Sequence, residues 1–435
     1  MIRYLGTFFA LLLLVILSGN AAHSESGDST LDLDLIQCLR LVQENNLDLA
    51  NAEQEIRRAE TGMAIAEGAR LPEVEITTTY TRMENGAAPL PGIEIPETQA
   101  DINLGVSLPL FTGGFLTTSS QQARTGLSIA KENHRAALGD TLLETTTLYF
   151  QMLGAQQQVA IAREALSVSR QHQNNIEALL RKGIVAKVDL VRSQLDTAER
   201  ERDLAAAKTN KFLASERLSA ILFPHKIQNV TASGAFPEPV SLDSLEKWQE
   251  RADENSPELG VSSLSVDIAQ SDITAAKAEG RGTLSLFGNY GTSDEEFTLD
   301  EESRYWNAGL NYTLPLYRGG RVRENIRHET SSLVQAENTM ITARRKVREA
   351  VTTAWSNAKL SVTQNATATR AIASAEENLR VVTLKYQQGL VPNTDVIDAQ
   401  LAVTRSRLLR IRSLENFNIN FARLQRTAGA IEEMP

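Results

Sequence analysis

Two stretches of the chain place an apolar residue at every second position. The first runs from Ile102 to Leu110 and the second from Trp306 to Leu316, with mostly polar or small residues between. A period of two is typical of a β-strand with one apolar face. Each stretch follows a more weakly alternating one, so the pattern predicts four strands of about ten residues. They cover residues 74–82, 100–111, 283–292 and 304–317.

Elsewhere, apolar or small residues recur at steps of three and four, the spacing of helices that pack as coiled coils. Two proline-free segments are unusually long and correspond to helices of about 100 Å at 1.5 Å per residue. Other periodic segments precede the strand pairs and follow the long helices. The predicted helices cover residues 31–69, 118–182, 185–222, 242–278, 321–388 and 391–428.

The order of elements occurs twice because the sequence repeats internally. The segment LPLFTGG at 108–114 returns as LPLYRGG at 314–320, and Gly183 with Asp189 returns as Gly389 with Asp395, both 206 positions later. Because both landmarks are offset by the same number of positions, the segment between them has neither gained nor lost residues. We therefore predict structural repeats at residues 25–223 and 241–429, a linker at 224–240 with several prolines, and a tail at 430–435.

The first 24 residues have the order of a secretory signal peptide, with Arg3, an apolar run from Leu5 to Leu17 and then small residues. The run is short for a membrane-spanning helix, which needs about 20 residues. We expect cleavage and export across the inner membrane. The single cysteine, Cys38, lies beyond any expected cleavage site, which excludes an intramolecular disulfide and a lipidated N-terminus.

Composition excludes several classes of function. The net charge of −10 is opposite to the clustered cations that phosphate binding needs, so we expect no nucleic-acid partner. Five histidines, one cysteine and no phosphate-binding glycine loop leave no constellation for catalysis, a metal or a cofactor. His134, His172 and His328 lie in predicted helices and are interpreted as residues of a helical wall.

The strands have two interpretations. Their length, single apolar face and terminal aromatic residues fit a transmembrane β-barrel, but a soluble sandwich sheet shows the same alternation. The segments 83–99 and 294–303 are predicted to be exposed loops, and the acidic second loop either lines a pore mouth or is a solvated surface. Many Ala, Ser, Thr and Gln positions in the helices favour the wall of a water-filled tube.

The paired LPL-aromatic-x-GG segments, the paired Gly-x5-Asp turns and the order of elements resemble the TolC family of outer-membrane efflux proteins. This resemblance covers essentially the whole mature chain. It implies a mixed α and β membrane protein in which an internally duplicated, long-helix coiled-coil α-barrel continues into a transmembrane β-barrel. It also implies a homotrimer whose protomers each contribute four strands to a 12-stranded barrel. An oligomer is required in any case, because four strands cannot close a barrel with a usable pore.

The resemblance implies an outer-membrane channel of a Gram-negative bacterium that extends into the periplasm, serves efflux or type I secretion, and has no catalytic activity or cofactor. Its implied partners are a periplasmic adaptor (membrane fusion protein), an inner-membrane transporter of the RND, ABC or MFS type, and outer-membrane lipids. The alternative is a periplasmic adaptor or coiled-coil scaffold. The paired strands favour the channel, because an adaptor has no need of them.

The resemblance also places functional residues at two helix-turn-helix tips. The turns that would meet the adaptor contain Gly183, Ile184, Val185, Gly389, Leu390 and Val391. Asp189 and Tyr386 correspond to closed-state contacts of the family. The best-known members have an arginine at the position of Val391, so we consider Lys187 as its replacement.

Asp395 and Asp398 correspond to the constriction of the family's channel. Residues three apart share a helix face, and a trimer would repeat both carboxylates as rings that favour cations. Asp395 has a second interpretation, because a carboxylate near a helix N-terminus stabilises the dipole and the free N–H groups. The sequence leaves both interpretations open.

Overall fold

The computed structural model describes residues 30–82, 98–226, 228–294 and 303–430. The predicted signal peptide, most of both predicted loops and residues 431–435 of the tail lie outside them. Within the described residues the chain has six strands and eight helices. The strands are β1 (Leu31–Leu33), β2 (Glu73–Arg82), β3 (Thr98–Phe111), β4 (Val230–Ala232), β5 (Thr283–Asp294) and β6 (Arg304–Thr313). The helices are α1 (Leu35–Asn45), α2 (Leu47–Gly68), α3 (Phe115–Arg181), α4 (Lys187–Leu222), α5 (Leu245–Asn255), α6 (Pro257–Ala278), α7 (Arg321–Gln387) and α8 (Asn393–Thr427).

The two halves of the chain match element by element. Helices α3 and α7 have 67 residues each, and their first residues, 115 and 321, differ by 206. Helices α2 and α6 have 22 residues each, and their first residues, 47 and 257, differ by 210. The offset between corresponding residues of the two repeats is therefore 210 up to the first strand of each hairpin and 206 from the second strand onwards. The segment between β5 and β6 is accordingly shorter than the one between β2 and β3.

Two predicted helices are wrong in their extent. The segments 31–69 and 242–278 each contain a short helix followed by a longer one, and 31–33 is a strand. The first break lies at Asn46, whose side chain accepts hydrogen bonds from the N–H groups of Asp48 and Leu49 and so begins a new helix. The second lies at Ser256, before Pro257, which has no N–H to continue the helical ladder. The predicted linker also contains a strand, β4.

The last predicted strand is too long, because β6 ends at Thr313 rather than at residue 317. In the first repeat the corresponding segment extends to Phe111, which still pairs with Leu284 of β5 after an irregularity at Pro109. Strand β6 pairs only with β5 within the described chain, and Pro315 cannot donate a ladder hydrogen bond. Residues 314–317 therefore lack the second neighbouring strand that keeps their counterparts, residues 108–111, in the sheet.

The long strands form one antiparallel sheet in the order β2-β3-β5-β6, in which β3 and β5 join the two repeats. Both hairpins have the same register: Glu73 lies opposite Ser107, and Thr283 opposite Thr313, as the shifts of 210 and 206 require. A second link between the repeats is the parallel pair of β1 and β4. Among the described residues, no helix combines the length and apolarity needed to cross a membrane.

The largest hydrophobic core lies halfway along the long helices. There the middle of α3 packs against α1, α4, α8 and the β1–β4 pair, and Cys38, Met152 and Leu218 are fully buried. The Tyr149 hydroxyl donates a hydrogen bond to the Ser233 carbonyl oxygen beside β4. This core fixes the helices at their centre. The two hairpins, α3–α4 and α7–α8, extend from it to the tips.

Candidate functional site at the helix tips

The two tips are built by the same turn. In each, the glycine N–H donates to the carbonyl three residues earlier, and the next N–H donates to the carbonyl five residues earlier, at 2.9 and 3.0 Å. These are the hydrogen bonds of a Schellman motif, which satisfies the last carbonyls of a helix. Gly183 and Gly389 both have a φ of 74°, a left-handed conformation that glycine adopts at low cost. The sequence-predicted turns are thus rigid helix ends rather than loose loops.

A buried amide connects one tip to the other. Asn393 is the first residue of α8 and is 1% exposed. Its Nδ2 donates a hydrogen bond of 3.1 Å to the backbone carbonyl oxygen of Asp189 on α4. Its Oδ1 lies 2.6 Å from Nε2 of His172 on α3, which donates when that nitrogen carries the proton. Asn393 therefore binds the second hairpin to both helices of the first.

Tyr386 lies beside this link, near the end of α7. Its ring packs against the His172 ring with centroids 5.9 Å apart and planes tilted by 60°. Its hydroxyl oxygen is buried and has no hydrogen-bond partner among the described residues. Burial, reinforced by the negative charge of Asp189, raises the pKa of Tyr386. The structure thus places Tyr386 near enough to Asp189 for the charge of that carboxylate to act on its hydroxyl, while the Tyr386 ring packs on His172 rather than on Asp189.

The two aspartates of the expected constriction have different surroundings. Asp395 is the third residue of α8, is half-buried, and occupies the same position there as Asp189 does in α4. A carboxylate in the first turn stabilises the helix dipole. Asp398 lies one turn further along and is exposed in the protomer. The structure accordingly supports the helix-stabilising role for Asp395 and leaves the Asp398 carboxylate free to face other groups.

The remaining predicted tip residues form the outer surface of the turns. Ile184 and Leu390 are 65% and 68% exposed, and both belong to the Schellman turns. Val185 and Val391 are half-buried, and Lys187, the first residue of α4, is exposed. Each tip therefore exposes one aliphatic side chain at the same position of its turn.

Sequence reasoning missed two members of the site. His172 was interpreted as a wall residue, because nothing in its own segment places it beside a tip more than 200 positions away in the chain. Asn393 belongs to the second turn but was assigned no role. One signal was present: the repeat aligns Asn393 with Lys187, itself a candidate contact residue. Its bond to Asp189 depends on packing between the hairpins.

A family model matches the chain in each of its two halves. The model is that of the outer membrane efflux protein, and it covers residues 38–222 and 248–430. The two matched regions correspond to the two structural repeats described above. They exclude the predicted linker and the first residues of α5.

Similar proteins cover nearly all of the chain. The outer membrane protein TolC of Escherichia coli K12 is 23% identical over 429 residues, 94% of this chain and 85% of TolC. The outer membrane protein OprJ of Pseudomonas aeruginosa is 25% identical over 385 residues, 85% of this chain and 78% of OprJ. Both relatives are named as outer membrane proteins, which favours the outer-membrane channel over the periplasmic adaptor alternative.

Solved outer-membrane channels have the same fold. CusC aligns with a TM-score of 0.82 at 19% identity, over 94% of this chain and 95% of CusC. The CmeC outer membrane channel of Campylobacter jejuni aligns with a TM-score of 0.78 at 17% identity, over 92% and 86% of the two chains. The protein is an outer-membrane efflux channel subunit of a Gram-negative bacterium, and by sequence and fold the chain belongs to the outer membrane efflux protein family.

Proposed function

We propose that three copies of this chain form a continuous exit duct across the outer membrane and the periplasm. The observation that carries this proposal is the distance between the strands at one end of the protomer and the helix tips at the other. Helix α3 starts four residues after β3 and runs for 67 residues, about 100 Å, to a tip that is bonded to the second tip. Three four-stranded sheets, each with two edges that lack a partner among the described residues, would close one 12-stranded barrel.

The duct is opened at the tips by a periplasmic adaptor and energised by an inner-membrane transporter of the RND, ABC or MFS type. The exposed Ile184 and Leu390, with the turns that carry them, are the adaptor contacts. Asp189 and Tyr386 hold the closed state within the protomer. Asp395 and Asp398 form the aperture, with Asp398 as the main charged ring because it is the more exposed of the two.

The experiment is expression of the full chain in a Gram-negative host, outer-membrane fractionation and electrophoresis before and after heating. We expect an SDS-resistant oligomer in the outer membrane that dissociates on boiling. Purified oligomer in planar bilayers should give a small resting conductance, because the tips are closed. Recovery of the chain as a soluble periplasmic monomer would refute the duct.

A further inference from the structure

The four-stranded sheet has two faces of different chemistry. On the first face, the strand register places four large side chains opposite one another in a single row, Ile76, Leu104, Tyr290 and Trp306. Their exposed fractions are 72%, 40%, 53% and 78%. Apolar and aromatic side chains on one face of a membrane-spanning sheet are the surface that meets lipid. The opposite face therefore lines the lumen of the proposed duct.

The opposite face, which we call the lumenal face, consists of the odd-numbered residues of β2, β3, β5 and β6, because successive side chains of a strand point to opposite sides. Most of them are amides, hydroxyls or glycines. Among the described residues of this face, the charged ones are Glu73, Glu75 and Asp101, and none is Lys, Arg or His. The lumenal face is thus polar and uniformly acidic.

Three asparagines form a row of hydrogen-bonded amides across the lumenal face. Nδ2 of Asn103 on β3 donates to Oδ1 of Asn289 on β5 at 3.2 Å. Nδ2 of Asn289 in turn donates to Oδ1 of Asn307 on β6 at 2.9 Å. Oδ1 of Asn103, at the start of the row, has no hydrogen-bond partner among the described residues. The amides are therefore held in place by one another, and the row retains an unused acceptor.

Two aromatic rings lie on the lumenal face, one on each side of the amide row. Phe287 and Tyr305 each precede an asparagine of the row by two residues, on antiparallel strands. A Cβ at Gly309 would lie 3.0 Å from Cζ of Phe287, and a Cβ at Gly291 would lie 3.0 Å from the Tyr305 hydroxyl oxygen. Each ring thus lies over a glycine of the neighbouring strand, along the wall of the lumen.

A recess lies over Gly105, which is paired with Glu75 on one side and Asn289 on the other. A Cβ at this glycine would be 3.4 Å from Oδ1 of Asn289 and 3.5 Å from Cγ of Glu75. The Glu75 side chain is exposed. An amide oxygen and a carboxylate therefore flank a position that has no side chain of its own. Such oxygens accept hydrogen bonds, and an ammonium group donates three.

We propose that the lumenal face binds small aromatic molecules that carry an ammonium group, and that the duct therefore prefers cargo of this class. The inference rests on the proposed duct, because only there does this face line a lumen. The ligand ring packs on Phe287, and its ammonium group occupies the recess at Gly105, beside Asn289. Residues two apart on a strand are separated by about 7 Å, which a short alkyl linker between ring and nitrogen spans.

The charge of the lumenal face selects the sign of the ligand. Glu75 lies at the recess, and Glu73 and Asp101 are on the same face. Carboxylates that line a pore attract cations and repel anions. A neutral aromatic molecule gains the ring contact but not this attraction, and a cation without a ring gains only the attraction. The combination of ring and positive charge is therefore the class that fits.

Strand pairing does not require the two rings. The hairpin of the first repeat has the same register as that of the second, but the counterparts of Phe287 and Tyr305 are Thr77 and Gln99. The first hairpin thus forms without aromatic residues on its lumenal face. The rings of the second hairpin are accordingly available to contact cargo.

The test is titration of the purified full-chain oligomer with 2-phenylethylammonium, followed by saturation-transfer difference NMR. This probe should bind more tightly than ethylammonium, which lacks the ring, 2-phenylethanol, which lacks the charge, and 3-phenylpropanoate, which has the opposite charge. Phe287→Leu should weaken binding about two- to tenfold, the equivalent of one aromatic pair. Glu75→Gln should weaken it about two- to fivefold, as for an exposed ion pair. Phe287→Tyr keeps the ring and should bind as the wild type does.

The matched control is Tyr290→Leu, which removes a ring from the lipid-facing side of the same strand and should leave the affinity unchanged. Equal affinity for all four probes, or wild-type affinity in Phe287→Leu, would overturn the inference while the oligomer itself stands. Binding lost in Asp398→Asn but kept in Phe287→Leu would place the site at the tips and also overturn it. A wild-type chain recovered as a soluble monomer would overturn the proposed function and this inference together.

Discussion

The side-chain nitrogen of Asn393 lies 3.1 Å from the backbone carbonyl oxygen of Asp189, to which it donates a hydrogen bond. The two residues are the first residue of α8 and the third of α4, so the bond joins the starts of the two returning helices. Asn393 is buried and also contacts His172. Movement of either hairpin tip away from the other therefore breaks a polar contact that water cannot easily replace.

Asn393→Ala should make the closed tip leak. The substitution leaves the Asp189 carbonyl and the His172 ring without this partner, at a cost of about 1–3 kcal/mol for buried polar groups. We expect a higher resting conductance in planar bilayers. Thr404→Ala is the control, because among the described residues that hydroxyl donates to the Gln400 carbonyl of its own helix and to no other group. An intact Asn393→Ala oligomer with wild-type conductance would show that the link does not hold the tip.

Tyr386 should contribute to closure by its ring rather than its hydroxyl. The hydroxyl has no hydrogen-bond partner among the described residues, whereas the ring packs against His172. Tyr386→Phe should keep the wild-type resting conductance, and Tyr386→Ala should raise it. Bilayer recordings of both variants separate the two contributions. A leaky Tyr386→Phe channel would instead assign the contribution to a hydroxyl contact made in the assembled duct.

Neutralising the aperture carboxylates should reduce cation preference. Rings of aspartate attract cations and repel anions, so Asp398→Asn should lower the ratio of cation to anion permeability. Asp395→Asn should have the smaller effect, because that residue is half-buried and stabilises the first turn of α8. Reversal potentials in a salt gradient measure the change, with the exposed Glu254→Gln in α5 as control. Selectivity unchanged in the double variant would remove both residues from the aperture.

Lys187→Met should remove a charged closing contact at the tip, because Lys187 is considered in place of the arginine that the best-known members of the family have at the position of Val391. Exposed ion pairs are screened by salt, with a Debye length near 10 Å at 0.1 M. We therefore expect the variant to leak at low ionic strength and to differ less from the wild type at 1 M salt. The Asn393→Ala leak should persist at both, since a neutral hydrogen bond is not screened. A Lys187→Met conductance equal to wild type at low salt would remove Lys187 from the closing contacts.

Glu415 should make stability depend on pH. Burial against α3 raises the pKa of Glu415 to about 7, although Arg412 opposes the shift. Below about pH 4.5 the group is protonated in both the folded and the unfolded chain. As pH rises towards 7, the unfolded chain loses its proton first, so the free energy of unfolding falls by at most about 3 kcal/mol per protomer.

Glu415→Gln should therefore raise the unfolding temperature in detergent at pH 8 and leave it unchanged at pH 4. The control is again Glu254→Gln, which is exposed and should be neutral at both values. A Glu415→Gln protein with the wild-type difference between pH 4 and pH 8 would place the pH dependence elsewhere.

The sequence by itself determined the repeat, the class of each long element and the position of the tips. These properties are local, because the period of apolar residues selects strand or helix. Gly183 and Gly389 end helices through their own backbone conformation. Local patterns of this kind could not predict the short strands. Strands β1 and β4 have three residues each and exist because they pair with each other, 199 positions apart.

Only the tertiary structure decided which side chains act together. The end of β6 at Thr313 depends on a missing neighbour, and the Asn393 contact depends on how α8 packs against the first hairpin. Likewise Arg426 and Asp140 lie 286 positions apart but form one ion pair. Periodicity records the face that a residue occupies, whereas the identity of the group opposite that face is set by packing between distant segments.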